Sequence, residues 1–569
     1  MAGGYSTAIL KSRGNGGGGT KSVTPWWYSP ETGIYSSKFT SIDLPSDHFI
    51  DVVSFIFSHK HNGGTALVDS STGLSVSYSK LSLLVKSMAV GLQRMGVKQG
   101  DVVLLLLPNS ICFPIIFLGV LSIGAIATTM NPLSGVSEIE RQVLDTNASL
   151  VFSVVDRIEL LVSTLEGCSV IGVPDVIDFD SLPSDESAFH KLFSIYSIDS
   201  SPAPWPKIRQ QDAAAILYSS GTTGRAKGVV LTHGNFIAMI ELFVRFEASL
   251  YDFPSTMNVY LAVVPMFHVY GLSLFVMGLF SLGSTIVTMK RFNGDEMIKA
   301  IDRYGVTHLH CVPPIVTELT NKAKKLGCNG LRSLKQVSSG AALVSERRIN
   351  EFLETLPPVD FIQGYGMTES TAIGARGYNS TNSCKYSSSG LLSPNVRAKV
   401  VDWISGSCLP PGSNGELWLQ SPGNMKGYLN NREATEAAID KDGWLHTGDI
   451  VYFDQEGYLQ IVDRLKEMIK YKGFQIAPAD LEAALMSHPD VLDVAVAGQR
   501  DEDAGEIPVA FVVLKQGSSV SESDLMNYVA KQVAPYKKVR KMYFCGSIPR
   551  SASGKILRKE LRSLLTSKL

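Results

Sequence analysis

The 569-residue chain has no excess of either charge: 52 Lys and Arg stand against 53 Asp and Glu, a formal net charge of -1. Without such an excess, no global field draws nucleic acid or an anionic membrane to it. Cysteine pairing is absent too. The seven cysteines, Cys112, Cys168, Cys311, Cys328, Cys384, Cys408 and Cys545, form no C-x-x-C pair. An odd, scattered set excludes a disulfide framework and a zinc site and reads as buried thiols in a reducing compartment. The Gly- and Ser-rich N-terminus lacks the apolar core of a secretory signal, so residues 1–24 read as a disordered leader. Charged residues make up only 18% of the chain and hydrophobic residues 45%. That is enough burial to offset ordering entropy, which excludes bulk disorder. One apolar stretch, 111–129, is long enough to span a bilayer, but Pro114, Gly119 and Gly124 interrupt it and no Lys/Arg asymmetry flanks it. It reads as a buried helix followed by a strand.

The length calls for two to four folded units. Between about residues 49 and 350, apolar runs at 101–107, 150–154, 213–218, 258–264 and 284–289 alternate with helical patterns such as 81–95 and 294–304. This alternation predicts an α/β fold with mostly parallel sheets. Around 399–419 the pattern changes to short strands with Gly/Pro turns, which predicts a small β-rich subdomain. After Asp463 a further piece carries helix and strand signals at 479–487, 491–496, 509–514 and 522–533, long enough for an α+β domain of its own. The fold class read from the sequence is therefore α/β: a leader, a large N-terminal domain over 25–463 with two α/β sheets and a β-rich subdomain, and a small C-terminal domain over 464–569. No internal repeat at solenoid periods is visible.

The most informative segment is Tyr218-Ser-Ser-Gly-Thr-Thr-Gly-Arg-Ala-Lys-Gly228, directly after an apolar strand. Its glycines and small hydroxyl residues let backbone N–H groups turn toward phosphate oxygens, and Lys227 adds a mobile charge. Ser219, Ser220, Gly221, Thr222, Thr223 and Lys227 are thus candidates to hold phosphates. The spacing fails the Walker pattern G-x-x-x-x-G-K-[ST]. Four more segments follow in order: Pro265-Met-Phe-His-Val-Tyr270, Gln363-Gly-Tyr-Gly-Met-Thr-Glu-Ser370, Trp444-Leu-His-Thr-Gly-Asp449 and Pro549-Arg-Ser-Ala-Ser-Gly-Lys555. Between the last two lies Asp463-Arg-Leu-Lys-Glu-Met-Ile-Lys-Tyr-Lys-Gly-Phe-Gln475. Together these resemble the motifs of the adenylate-forming superfamily of acyl-CoA ligases, beetle luciferases and peptide-synthetase adenylation domains, over roughly 52 to the end. Residues 463–475 and Gln532-Val-Ala-Pro-Tyr-Lys537 are similar to the plant 4-coumarate–CoA ligase-like branch.

The resemblance implies an ATP-dependent carboxylate–CoA ligase using ATP, Mg2+ and coenzyme A, with a mobile C-terminal domain. Adenylation needs a carboxylate in line with an α-phosphate and stabilisation of the crowded phosphorus centre, with magnesium on the departing pyrophosphate. Thr368 suits the α-phosphate and Glu369 suits magnesium. The resemblance puts Asp449 on the ribose with Arg464 assisting, where a lone Asp would more often cap a helix. It makes Lys555 the adenylation lysine, although spacing alone would read it as a surface charge. Lys466, Lys470 and Gln475 would lie near the adenylate, with Gln363 and Gly364 lining it, and Arg291, Lys472 and Gly473 would contact CoA. His268, otherwise a satisfied core histidine, would flank the carboxylate, and Tyr270 and Ala341 would line the acyl pocket.

Three departures bear on the acid. Leu343 stands where the family has proline, Ser338 where 4-coumarate ligases often have lysine, and Ser387-Ser-Ser-Gly390 where a Gly-Ser-x-Gly turn is usual. A pocket that loses a donor and gains aliphatic volume is expected to accept acids without a ring hydroxyl. Hydroxycinnamates, cinnamate or benzoate, medium-chain fatty acids and cyclopentenone-octanoate precursors all stay open. The final Ser567-Lys568-Leu569 matches the peroxisomal address, implying a soluble import receptor as partner. The competing readings are a luciferase-like adenylating oxygenase and a non-catalytic acyl-adenylate binder. A peptide-synthetase adenylation domain is disfavoured because no carrier domain follows.

Overall fold

The structure is a computed structural model describing residues 25–179, 187–193, 205–219, 226–251, 254–327, 330–379, 384–472, 474–501, 504–551 and 554–566. The leader, Ser220, Gly221, Thr222 and Thr223, Cys328, Gly473 and the terminal tripeptide lie outside the described residues.

Five apolar runs read from the sequence are strands: Val102–Leu106, Ala148–Val154, Ala213–Ser219, Val259–Ala262 and Thr285–Thr288. The first three join Ile126–Thr129 and Ser169–Val173 in the parallel part of a seven-stranded sheet, whose edge is closed by antiparallel Lys227–Thr232 and Gly427–Tyr428. The other two belong to a nine-stranded sheet, parallel from Asp360–Tyr365 through Gln336–Ser339, His308–Cys311, Val259–Ala262 and Thr285–Thr288 to Thr65–Asp69. Strands with both faces covered read as unbroken apolar runs; all five residues of Val102–Leu106 are buried.

The stretch 111–129 is the helix Cys112–Ser122 followed by the strand Ile126–Thr129, as its interruptions imply. That helix is buried from Cys112 to Leu121 and packs on the helix Tyr78–Arg94. The approach is so close that a Cβ on Gly119 would lie 2.4 Å from Met88. Among the described residues no helix is long and apolar enough to cross a membrane. The helix Gly294–Tyr304 has the boundaries its pattern predicts, because the Asn293 side chain caps its first N–H groups and Gly305, at φ 62, ends it in the left-handed region.

The β-rich subdomain is a six-stranded antiparallel sheet ordered Tyr28–Ser29, Ile34–Ser36, Arg397–Val401, Gly415–Gln420, Leu445–Phe453 and Leu459–Arg464. A five-stranded sheet follows, built on the hairpin Val491–Asp501 and Gly505–Leu514, with helices Pro478–Met486, Glu522–Ala530 and Arg558–Thr566 around it. It has hydrophobic clusters of its own, one around Ile469, Leu481 and Val512, the other around Phe511, Ile548 and Leu561. Arg347 reaches across to it, donating to the carbonyls of Met486 at 2.9 Å and His488 at 3.0 Å, and Arg348 donates to that of Leu492 at 3.0 Å. Glu351 braces both guanidinium groups at 3.1 Å.

Some expectations are corrected. The strand expected at 491–496 runs on to Asp501, because Gly498, Gln499 and Arg500 pair with Pro508, Ile507 and Glu506 although they carry no apolar signal. The helix expected to reach 533 stops at Ala530. Of the six described cysteines, none of them in a disulfide, only Cys112 and Cys311 are buried, while Cys384 and Cys408 are exposed. Two stretches of helix contain widened π turns, Ile240–Arg245 and Leu272–Met277. Such turns concentrate at functional sites, and both flank the acyl side of the site described next.

Candidate active site

The phosphate loop does not lead from a strand into a helix. It joins two antiparallel strands, with Lys227 paired opposite Ser219. The two ends of the loop are therefore held in register, and Ser219 Oγ donates to Glu369 Oε1 at 2.7 Å. Tyr428 Oη donates to the same oxygen at 3.1 Å, while the Lys227 ammonium sits 4.8 Å from the centre of the Tyr428 ring. Glu369 is buried in the single turn Thr368–Ser370. Both hydroxyls use one carboxylate oxygen, and Oε2 accepts no hydrogen bond among the described residues. Thr368, also buried, opens that turn, and Thr371 and Ala372 behind it hold left-handed backbone at φ 52 and 64. Ala341 shares this conformation at φ 67. Such strain in non-glycine residues gathers at sites of function.

Asp449 caps no helix. It lies within the strand Leu445–Phe453, directly across from Arg464 on Leu459–Arg464. Arg464 Nε lies 3.1 Å from Asp449 Oδ1, and Tyr365 Oη donates to Oδ2 at 2.7 Å. The carboxylate is thus fixed from both sides, while burial and Asp449 together push the Tyr365 phenol well above its ordinary range. Lys555 arrives from the five-stranded unit, held by Ser551 Oγ accepting from the Lys555 N–H at 3.2 Å and by Arg550 bonding to Gly554 and Asp493. Gly554, at φ 78, presses on the start of the helix Pro313–Leu326, where a Cβ would sit 3.3 Å from Val312. Protein surrounds Lys555 although solvent still reaches part of it. Burial, then Arg464, bring its ammonium down to about 8 against the pull of Asp449 and Glu369. His268 caps the start of the helix Val269–Gly271, accepting from the Tyr270 N–H. Burial and the nearby Lys555 hold it down to about 4, so it is neutral at physiological pH.

On the acyl side, Tyr270 packs on Gly340, and its hydroxyl lies 3.4 Å from both His310 Nδ1 and the Ser338 carbonyl. Gly364 pairs with Arg376. Gln363 is more a brace than a contact surface: its Oε1 accepts from Val344 N–H at 3.0 Å and its Nε2 donates to the Tyr386 carbonyl at 2.9 Å. The expected aliphatic enlargement is overturned, since Leu343 is exposed. A buried guanidinium, that of Arg376, lies near Tyr270 and is paired with Glu247. Ser338 is buried.

The CoA-side residues do not join the Lys555 cluster. Lys470 and Lys472 are exposed on the five-stranded sheet, and Lys472 holds left-handed backbone at φ 47 beside the Tyr471 ring. Gln475 pairs with Lys470, and Arg291 is exposed on the large unit. Lys466 lies in the short turn Leu465–Glu467, where burial and Arg464 lower its ammonium below the usual range. Sequence reasoning missed Tyr365 and Tyr428, which bind the two key carboxylates, and the pair Glu247–Arg376. The tyrosines sit within or beside recognisable motifs and could have been found there; nothing local marks the pair, whose members are joined only by the fold.

Comparison with known proteins agrees with this arrangement. The family model of AMP-binding enzymes matches residues 57–429, and that of the AMP-binding enzyme C-terminal domain matches 480–555. The 4-coumarate–CoA ligase-like 6 protein of Arabidopsis thaliana is 58% identical, covering 95% of both chains. The peroxisomal OPC-8:0-CoA ligase 1 of the same plant is 42% identical, covering 94% of this chain and 96% of its own. Among solved structures, the o-succinylbenzoate CoA synthetase of Bacillus subtilis, in complex with its acyl-adenylate intermediate, superposes with a TM-score of 0.76 at 25% identity over 90% of this chain and 98% of its own. The chain belongs to the AMP-binding enzymes, within the plant 4-coumarate–CoA ligase-like group, and is an ATP-dependent acid–thiol ligase that works through an acyl-adenylate.

Proposed function

We propose that adenylation is carried out by Lys555 with the residues around it, and that the acid is a bulky organic carboxylate activated in the peroxisome. What supports this reading above all is that Lys555, from the small unit, comes within the electrostatic reach of Asp449 and Glu369 of the large one and of Arg464 at the junction between them. Asp449, fixed by Arg464 and Tyr365, accepts from the ribose hydroxyls. The loop 219–223 and Lys227 hold the phosphates, and Thr368 donates to the α-phosphate. A carboxylate oxygen of the acid attacks the α-phosphorus, pyrophosphate leaves, and the Lys555 ammonium offsets the negative charge on the crowded centre. His268, neutral, flanks the carboxylate and orients it. Gln363 acts by bracing the backbone next to Gly364, and Tyr270 and Ala341 line the acyl pocket.

Glu369 fits a magnesium ion: its Oε2 is open, and among the described residues no group of three or more His, Cys, Asp or Glu could hold a metal without the nucleotide. A Mg2+ held by one carboxylate and the phosphates is the usual arrangement, and it would neutralise the departing pyrophosphate. In the second half-reaction the CoA sulfur attacks the acyl carbonyl carbon and AMP leaves. For this step the domain 464–569 turns about Lys466, exchanging Lys555 for the Lys470, Lys472, Gly473 and Gln475 side, with Arg291 meeting CoA. The reading of peroxisomal import rests on Ser567-Lys568-Leu569 and on the 42% identity with a peroxisomal OPC-8:0-CoA ligase.

The test is thioester formation by the full chain with ATP, Mg2+ and CoA over hydroxycinnamic, cinnamic, medium-chain and cyclopentenone-octanoic acids. At least one acid should give a thioester with stoichiometric AMP. Light emission with oxygen uptake and no thioester would favour the oxygenase reading instead.

A further inference from the structure

The small unit offers the large one two main-chain irregularities, and an arginine meets each. The first is a helix end. Pro478–Met486 carries no basic residue in its last turn, and a helix leaves its last four carbonyls without internal partners and favours a cation there. Three of the four find donors inside the small unit. Ala483 accepts from the Ser487 N–H at 3.1 Å, Ala484 from Ser487 Oγ at 2.7 Å and Leu485 from the His488 N–H at 3.1 Å. The fourth, Met486, is met by Arg347 of the large unit, which also takes the His488 carbonyl. The second irregularity is at the start of the strand Val491–Asp501. Val491 faces Leu514 and Asp493 faces Val513, so Leu492 is an extra residue with no partner across the hairpin. Such a residue leaves the ladder and its main chain is re-aimed. Arg348 takes the Leu492 carbonyl.

Both arginines lie on the helix Glu346–Thr355, with side-chain exposures of 25% and 14%. That helix packs on Pro313–Leu326, whose start receives Gly554. The two helices form a seat for the small unit. From the seat a short polar path leads to the adenylation lysine. Next to Leu492, Asp493 accepts from Arg550 Nη2 at 2.8 Å, and Arg550 Nη1 donates to the carbonyl of Gly554, directly before Lys555, at 3.0 Å. Bonds from guanidinium groups are strong, yet carbonyls released from them are taken up by water. A joint of this kind holds one pose without barring its release.

We infer that Arg347 and Arg348 are positioning residues for adenylation: they clamp the helix end and the bulge of the small unit in the pose that delivers Lys555, and so set the balance between the two half-reactions. The inference rests on the ligase reading and on the turning of the domain 464–569 between half-reactions. Opening the clamp lowers the fraction of molecules with Lys555 in place, which slows adenylation and spares thiolation.

The test uses the full chain carrying Arg347→Met/Arg348→Met, which removes the donors and keeps most of the side-chain length. ATP–pyrophosphate exchange is followed with 4-hydroxycinnamate, cinnamate, decanoate and a cyclopentenone-octanoic acid, and CoA-thioester formation is followed from the preformed adenylates of the same acids. Exchange should fall at least about tenfold, while thioester formation from the adenylate holds or rises. Arg347→Lys, which can still donate to both carbonyls, should keep more exchange than Arg347→Met. Unchanged exchange in the double variant, or loss of both half-reactions in equal proportion as poorer folding would give, would overturn the inference while leaving the ligase assignment standing. A wild-type protein that shows neither exchange nor thioester with any of these acids would count against the ligase reading itself, and the inference would fall with it.

Discussion

Replacing Lys555 by Met should make the protein more stable and nearly abolish adenylation. The ammonium falls from an ordinary 10.5 to about 8, chiefly through burial. At 1.36 kcal/mol per unit, the folded state gives up at most about 3 kcal/mol to keep this charge at neutral pH, and nearer 1–2 kcal/mol because solvent reaches part of the side chain. The sign follows from proton counting. Between about 8 and 10.5 the unfolded chain holds a proton on Lys555 that the folded protein lacks. Stability therefore rises with pH across that window, and the penalty is complete below it. Urea unfolding at pH 7 should show Lys555→Met more stable than wild type, with the difference reduced by about half at pH 9.5. Acid-dependent ATP–pyrophosphate exchange should drop by about 10²-fold or more, and thioester formation from a supplied acyl-adenylate should survive. Equal loss of both half-reactions in a folded variant would refute the division of labour. A variant less stable than wild type at pH 7 would refute the buried-charge reasoning.

Three further outcomes are expected. Tyr365→Phe removes one of two groups fixing Asp449, a loss of about 1–2 kcal/mol, and should raise the KM for ATP some five- to thirtyfold with the KM for the acid little changed. Glu369→Gln should raise the Mg2+ concentration for half-maximal adenylation at least about tenfold and be rescued by excess Mg2+; unchanged Mg2+ dependence would move the metal elsewhere. Residues appended after Leu569 should leave catalysis intact and strand the protein in the cytosol, and continued import would place the address elsewhere.

Local patterns carried much of the fold. Apolar runs such as 102–106 and the Asn293 and Gly305 caps declare themselves within a few residues. What stayed hidden depends on distant pairing. The strand Arg397–Val401 meets Ile34–Ser36, and the end of the long hairpin is polar along its length. For the site, ordered motifs pointed to Ser219, Thr368, Glu369, Asp449 and Lys555; the fold bonds Ser219 to Glu369, which follows Thr368, and sets Lys555 near Glu369, Asp449 and Arg464. Single substitutions were poorer guides. Leu343 and Ser338 suggested a less polar pocket, and nothing in the sequence signalled the buried ion pair of Arg376 and Glu247, 129 residues apart. An ion pair formed only by the meeting of two elements leaves no periodic or spacing signal in either.

The most direct measurement of the central claim is a two-step single turnover with α-phosphate-labelled ATP, Mg2+ and 4-hydroxycinnamate or another acid that the protein activates, first without CoA and then with it. In the first step label should move into an enzyme-bound acyl-adenylate with release of unlabelled pyrophosphate. On adding CoA it should leave as AMP while an equal amount of acyl-CoA forms. Thioester appearing without a labelled adenylate, or an adenylate that CoA fails to discharge, would contradict the account.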